Sequence, residues 1–268
     1  MEFIWRRGTD GAPASYFPES GEDWYWPAGG LRLPNGTLAV FLHRFRTTAA
    51  APPLGFESTG YALALIENPA EKPAEWRGHI VPGPPLPFDA LPGAALIRDG
   101  EDIVILATRT KGAPAGMLMR VDATALAAGD LSGALWWKGG DWTSIAMLGP
   151  QGPAIVIEDA GVESSIHESA CGFVHVTSSG FGAATLVART APILTGPWSA
   201  PLALLRPPES DAPEPFVYAG RGHAGLDAPT GTLRLTYVPS SLDPNALLSG
   251  AGATRLYWPR FALAKPPC

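Results

Sequence analysis

Lysine is scarce in this chain, with four residues at positions 72, 111, 138 and 265, and no stretch gathers charges of one sign. A run of like charge would mark a solvated tail or a membrane patch, and neither is expected. The formal net charge is −6 and the pI near 5.4, so the basic footprint of a nucleic-acid-binding protein is missing. No apolar run approaches the roughly 18 residues of a membrane span. The opening residues, Met1 to Gly11, lack the apolar segment of a signal peptide. The chain as written is therefore expected in the cytoplasm, or secreted or periplasmic if the true N-terminus lies upstream.

Cys171 and Cys268 are the only cysteines. Two thiols exclude a four-cysteine zinc site, and a bridge between them stays open. His43, His167, His175 and His223 show no His-x-x-x-His spacing, so neither a metal nor another cofactor is expected. A Gly-x-Ser-x-Gly elbow is also missing, which excludes an α/β-hydrolase. Gly180-Phe181-Gly182 and Gly220-Arg221-Gly222 are followed by strand-like sequence. They are not phosphate loops, because no helix supplies N-terminal amides.

What the chain has in quantity is turn chemistry and short alternating runs. It holds 31 Gly and 29 Pro in 268 residues, interleaved with a hydrophobic content of 46% that is ample for a core. The fold class is all-β with dense turns. Asn35-Gly36 is a hairpin signal. Leu38, Val40 and Leu42 then point to one face and Ala39, Phe41 and His43 to the other. The stretch from Asn35 to Arg44 is repeated in character by Asp99 to Arg109 and by Thr230 to Tyr237. The period is roughly 60 to 70 residues, longer than the ~40 to 50 of familiar propeller repeats. Four units result, at about 22–80, 90–142, 150–205 and 214–265, each with three or four strands and most with a tryptophan near the corner. A single-domain β-propeller accounts for four similar units better than a sandwich does. A short helical turn is expected at Asp122 to Ala128 and a final strand at Leu256 to Phe261.

The corner from Ala188 to Trp198, ending Leu194-Thr195-Gly196-Pro197-Trp198, resembles that of five-bladed propeller glycosidases of the arabinanase and invertase type. The segments Trp24-Tyr25-Trp26-Pro27, Arg206 to Ser210, Tyr218-Ala219-Gly220 and Tyr257 to Arg260 resemble more closely an uncharacterised, often secreted bacterial family with a glycosidase-like propeller domain. The resemblance covers nearly all of the chain from Trp24 on. It implies a propeller of the five-bladed type with four units visible. The family carries an earlier blade ahead of the Trp-Tyr-Trp cluster, and here that blade is either missing or replaced by the short N-terminal segment. In the glycosidases the first blade supplies the aspartate general base, and no residue of this chain matches it.

The fold so implied suits a carbohydrate ligand in a funnel at the propeller axis. Glycoside hydrolysis needs two carboxyl groups, separated in inverting enzymes by ~6.5 to 9.5 Å. Glu168 is the first choice as acid, Glu163 the second, and Asp23 the third carboxylate near an inner strand. His167, Arg221 and His223 precede or lie in inner strands and suit sugar hydroxyls or a substrate carboxylate. Trp26 offers a flat face for a pyranose ring, with Tyr237 and Arg260 as further binding residues. The leading function is thus a glycoside hydrolase-like protein acting on or recognising a glycan. A non-catalytic glycan-binding module and an interaction scaffold are the alternatives. Two carboxylates in one funnel would favour the enzyme; aromatics with one carboxylate or none would favour the binding module.

Overall fold

The computed structural model describes residues 6–18, 21–49, 55–243, 245–246 and 256–267. A small ribbon of β1 (Arg6–Arg7) and β2 (Pro13–Ala14) precedes four antiparallel sheets arranged as propeller blades. Blade one is β3 (Asp23–Arg32), β4 (Leu38–Thr47), β5 (Phe56–Ile66) and β6 (Gly78–Pro82). Blade two is β7 (Leu91–Asp99), β8 (Asp102–Arg109), β9 (Ala115–Asp122), β10 (Leu135–Trp137) and β11 (Trp142–Ser144), with β12 (Ile157–Glu158) also paired to β9. Blade three is β13 (Ser164–Ser169), β14 (Gly172–Ser179), β15 (Thr185–Ala191) and β16 (Leu202–Leu205). Blade four has three strands, β17 (Val217–His223), β18 (Leu233–Pro239) and β19 (Arg260–Ala264).

The elements follow local chemistry. Asn35 and Gly36 turn the first hairpin, with Gly36 at φ +91 and the Asn35 side chain accepting from the Thr37 amide at 3.0 Å. The expected helical turn is α1 (Ala123–Ala127), capped by Asp122, whose carboxylate accepts from the amides of Thr124 and Ala125. Trp76 and Trp198 each donate an indole N–H to a backbone carbonyl, of Glu71 and Leu194 respectively. The final strand begins later than the alternation suggests. Tyr257 has φ +60 and Pro259 has no N–H to give a ladder, so pairing with β18 starts only at Arg260. The residues before Glu163, which open the third sequence unit, complete the sheet of blade two through β12. Cys171, in the turn between β13 and β14, is disulfide-bonded; Cys268 lies outside the described residues.

Four blades, not five, are found among the described residues. The inner strands β3, β7, β13 and β17 pack in series, each against the next. Packing of comparable extent between β17 and β3 is not found among the described residues. Apolar clusters fill the seams between blades. Leu63, Ile105 and Trp136 lie between blades one and two, Val104, Leu118 and Ile166 between two and three, and Val176, Leu186 and Leu235 between three and four. Three inner strands share one irregularity. The register shifts at Pro27/Gly30, at Pro92/Ala95 and at Tyr218/Arg221, which bends each strand and re-aims the residues after it. No helix among the described residues is long and apolar enough to cross a membrane.

Candidate functional site

The bulge in β17 sets the position of Arg221. Gly220 and Gly222 press on blade three, where the Gly220 amide donates to Ser178 Oγ at 2.7 Å and the Gly222 amide to Ser165 Oγ at 2.8 Å. Side chains alternate along a strand, so Arg221 points away from that seam. Its charge acts on Glu163 of the segment before β13 and on His43 of β4. A residue of blade four that senses both blade one and blade three stands where the blades converge, at the propeller axis. The sequence expected His43 to pack beneath the site rather than in it. The structure buries it, and its Nε2 lies 3.1 Å from the Pro92 carbonyl of blade two.

Glu163, His167, Arg221 and His223 form one electrostatic group. Burial raises the Glu163 carboxyl above its ordinary value, against the opposing charge of Arg221. Burial in turn lowers the Arg221 guanidinium, and Glu163 partly restores it. The two side chains attract without forming a direct ion pair, and neither has a hydrogen bond among the described residues. Burial first, and the charge of His223 second, push His167 down to about 4. Burial and then Arg221 lower His223, whose Nε2 meets Thr236 Oγ1 at 2.7 Å. His167 Nδ1 is buried with no partner among the described residues. Sequence reasoning did not select Tyr218, which precedes the bulge in the same strand. Its hydroxyl is raised by burial first, then by Tyr257 and Glu163. The repeated Pro-Gly or Ala-Gly at the bulges was the available signal.

The other selected residues lie in three places. Trp26 of β3 stands opposite His43 of β4 in the ladder, and cross-strand neighbours have Cβ atoms about 5 Å apart. It is half exposed and packs its ring against Phe45 at 4.4 Å and Phe56 at 4.8 Å. An apolar platform therefore lies one cross-strand position from His43, which the charge of Arg221 also reaches. Asp23 is buried and engaged by three donors. It accepts from Arg46 Nε at 2.7 Å, Thr59 Oγ1 at 3.0 Å and Arg44 Nη2. Burial by itself would raise this carboxyl, but the hydrogen bonds from Arg46, Thr59 and Arg44 and the Arg46 charge outweigh it and hold it low. Three of its about four acceptor sites are filled and the group is buried, so it is not presented to a substrate. We predict that Asp23→Asn lowers the melting temperature by several degrees at pH 7, and that the drop shrinks in an Arg46→Gln background. Equal drops in both backgrounds would show that the pair is not coupled.

Glu168 is exposed near the other end of β13, opposite Phe173. It stands five residues from Glu163, and a strand rise of ~3.3 Å per residue separates the two by roughly 16 Å. They do not share one funnel mouth. Tyr237 and Arg260 meet instead on Glu209, with Tyr237 Oη donating to Oε2 at 3.0 Å and Arg260 Nε to Oε1 at 3.3 Å. Burial and then Glu209 raise the Tyr237 hydroxyl to about 12. This group ties the η segment Pro208–Asp211 to β18 and β19. Among the described residues no three His, Cys, Asp or Glu side chains are gathered as metal ligands.

By sequence, no protein-family model and no curated protein matches the chain. By structure it is similar to a Bacteroides ovatus protein provisionally designated a hydrolase, at 15% identity and a TM-score of 0.65, over 90% of this chain and 60% of that one. It is similar also to an N-acetylgalactosamine deacetylase from F. plautii, seen with blood group B trisaccharide (11% identity, TM-score 0.53, 96% of this chain and 76% of that one). An alpha-L-arabinofuranosidase from Lactobacillus brevis is the third (12% identity, TM-score 0.51, 91% and 74%). The chain thus spans about three fifths of the first of these proteins and three quarters of the other two. At such identities the likeness is one of fold. It agrees with the propeller resemblance carried by the corner at Gly196-Pro197-Trp198.

Proposed function

We propose that this chain binds a carbohydrate at the axial group of Glu163, His167, Arg221 and His223, with Trp26 beside it. One observation carries the reading. Glu163 and Arg221 are drawn together at the axis, yet neither is hydrogen-bonded among the described residues. Both side chains are only partly buried, so their unpaired polar atoms stay open to a ligand. Vicinal sugar hydroxyls both donate and accept, so they satisfy a carboxyl and a guanidinium together. The exposed face of Trp26 adds a surface for an apolar ring face. The fold shared with two carbohydrate-acting enzymes supports this class of ligand by analogy.

Recognition is favoured over hydrolysis, because cleavage of a glycosidic bond needs a second carboxyl group. Asp23 is spent on two arginines, and Glu168 lies at the far end of its strand. Hydrolysis remains as a second reading on one specific ground: a partly buried carboxyl with a raised pKa is what a general acid requires. We also propose that the ring is of the five-bladed type, with the open position between blades four and one, where inner strands are not packed together.

A glycan array followed by calorimetry tests the binding reading. Glu163→Gln is expected to weaken the best ligand about tenfold or more, the loss of one charge-assisted hydrogen bond. Absence of binding to any glycan sinks the proposal. Turnover of aryl glycosides by the native protein, abolished in Glu163→Gln, would replace it with the hydrolase reading.

A further inference from the structure

Arg221 differs from the other arginines near the inner strands. Arg44 and Arg46 are neutralised by Asp23, and Arg260 meets Glu209. Arg221 is partly buried, which lowers its guanidinium, and no hydrogen bond or ion pair to it is found among the described residues. A guanidinium carries five N–H donors in a planar fork and does not give up its proton in proteins. Burying one without a counter-ion is expensive.

Its surroundings do not repay that cost. Glu163, the carboxyl whose charge reaches it, is not in ion-pair contact among the described residues, and its own burial raises it. The remaining neighbours are imidazoles. His43, His167 and His223 are each held low, with Arg221 contributing for His43 and His223, and His223 for His167. These imidazoles supply no counter-ion, and Arg221 has no direct anionic partner among the described residues. Two further groups offer a polar atom and an apolar wall: the buried His167 Nδ1, without a partner among the described residues, and Trp26 opposite His43.

We infer that the axial site selects a sugar bearing an anionic group, with a carboxylate of a uronic acid docked bidentately on Arg221. The inference rests on the carbohydrate-binding reading above and narrows it. The planar fork matches a carboxylate in two parallel N–H···O bonds. A sulfate ester would present the same negative oxygens in tetrahedral form, and the test separates the two sources.

The test is calorimetric binding of galacturonate, glucuronate and mannuronate trisaccharides, each beside its methyl ester, with neutral and sulfated galacto-oligosaccharides. The expected result is at least tenfold tighter binding of one free acid than of its ester, a preference that shrinks as salt rises from low to physiological strength. Arg221→Met should abolish the preference. Arg221→Lys, which keeps the charge and loses the fork, should retain part of it, and each variant is checked for a native melting transition. If Arg221→Met fails to fold, Arg221→Lys alone decides, since an unchanged preference in it overturns the bidentate contact. Tighter binding of a sulfated sugar supports the anion site and assigns it to sulfate esters. Neutral sugars or methyl esters binding as well as the acids overturn the inference while leaving the carbohydrate reading intact. Failure of every sugar, neutral and acidic, overturns both.

Discussion

Between pH 6.5 and pH 4 the folded protein is expected to lose roughly 6 kcal/mol of stability through His175 and His43, and His175→Leu to remove about half of that loss. His175 is fully buried on β14, opposite Ile166 on β13 and Arg189 on β15, with the Trp198 ring 6.0 Å away. Neither ring nitrogen has a partner among the described residues. Burial first, then the charges of Arg189 and His167, push it down to about 3. His43 is pushed down to about 4 by burial, with Arg221 adding to the shift and the Pro92 carbonyl opposing it.

The direction follows from proton linkage. An unfolded histidine takes up a proton near pH 6.5, while the folded one stays neutral to about 3 or 4. The unfolded state thus binds more protons across this window, and stability falls as pH falls. Each group contributes about 3 kcal/mol by pH 4. Glu163, whose folded carboxyl is raised, works the other way and offsets part of the loss. Asp23, held low, adds its own loss only below about pH 3.9. Since domains are stable by ~5 to 15 kcal/mol, unfolding near pH 4 is expected. Urea titrations at pH 7, 6, 5 and 4.5 on the native protein and His175→Leu measure this. Parallel profiles for the two proteins would falsify the assignment.

Replacing Gly93 with alanine is expected to cost about 3 to 4 kcal/mol. Gly93 lies in the bulge of β7 with φ +115, and an added Cβ would stand 2.3 Å from Phe41 Cβ and 2.9 Å from Phe41 Cγ. Phe41 is fully buried between blades one and two and has no room to retreat. Both a strained backbone and an overpacked seam result, and the melting temperature should fall by roughly 10 °C. Gly100→Ala is the control, since Gly100 has φ +62 but open space around it. It should cost about 1 to 2 kcal/mol, the backbone effect alone. Equal losses at the two sites would show that the seam accommodates the methyl group. Pro92, the neighbour of Gly93, holds His43 through its carbonyl. Gly93→Ala should therefore weaken ligand binding at the axis as well as folding.

The blades were legible because each hairpin states its own register. Asn35-Gly36 and Asp99-Gly100 turn tightly, and alternation from Leu38 or Ile103 assigns faces without reference to distant parts of the chain. Asp122 likewise caps α1 through contacts two and three residues away. The carboxylates were not separable in this way. Glu163 and Glu168 flank or occupy the same inner strand, and both sit beside polar residues. Only the stacking of β13 against β17 places Glu163 next to Arg221 and leaves Glu168 in solvent. Asp23 looked available because its arginines stand 21 and 23 positions further on. The union of Tyr237 and Arg260 on Glu209 spans 51 residues in sequence and was equally hidden.

The sequence by itself determined an all-β chain of four similar units, their hairpins, their tryptophan corners and the set of polar residues near the inner strands. These depend on side-chain period and turn chemistry, which act over a few residues. The tertiary structure alone decided which polar residues are neutralised and which are left unpaired at the axis. Charge and burial act through space, and strands brought side by side by blade packing set both.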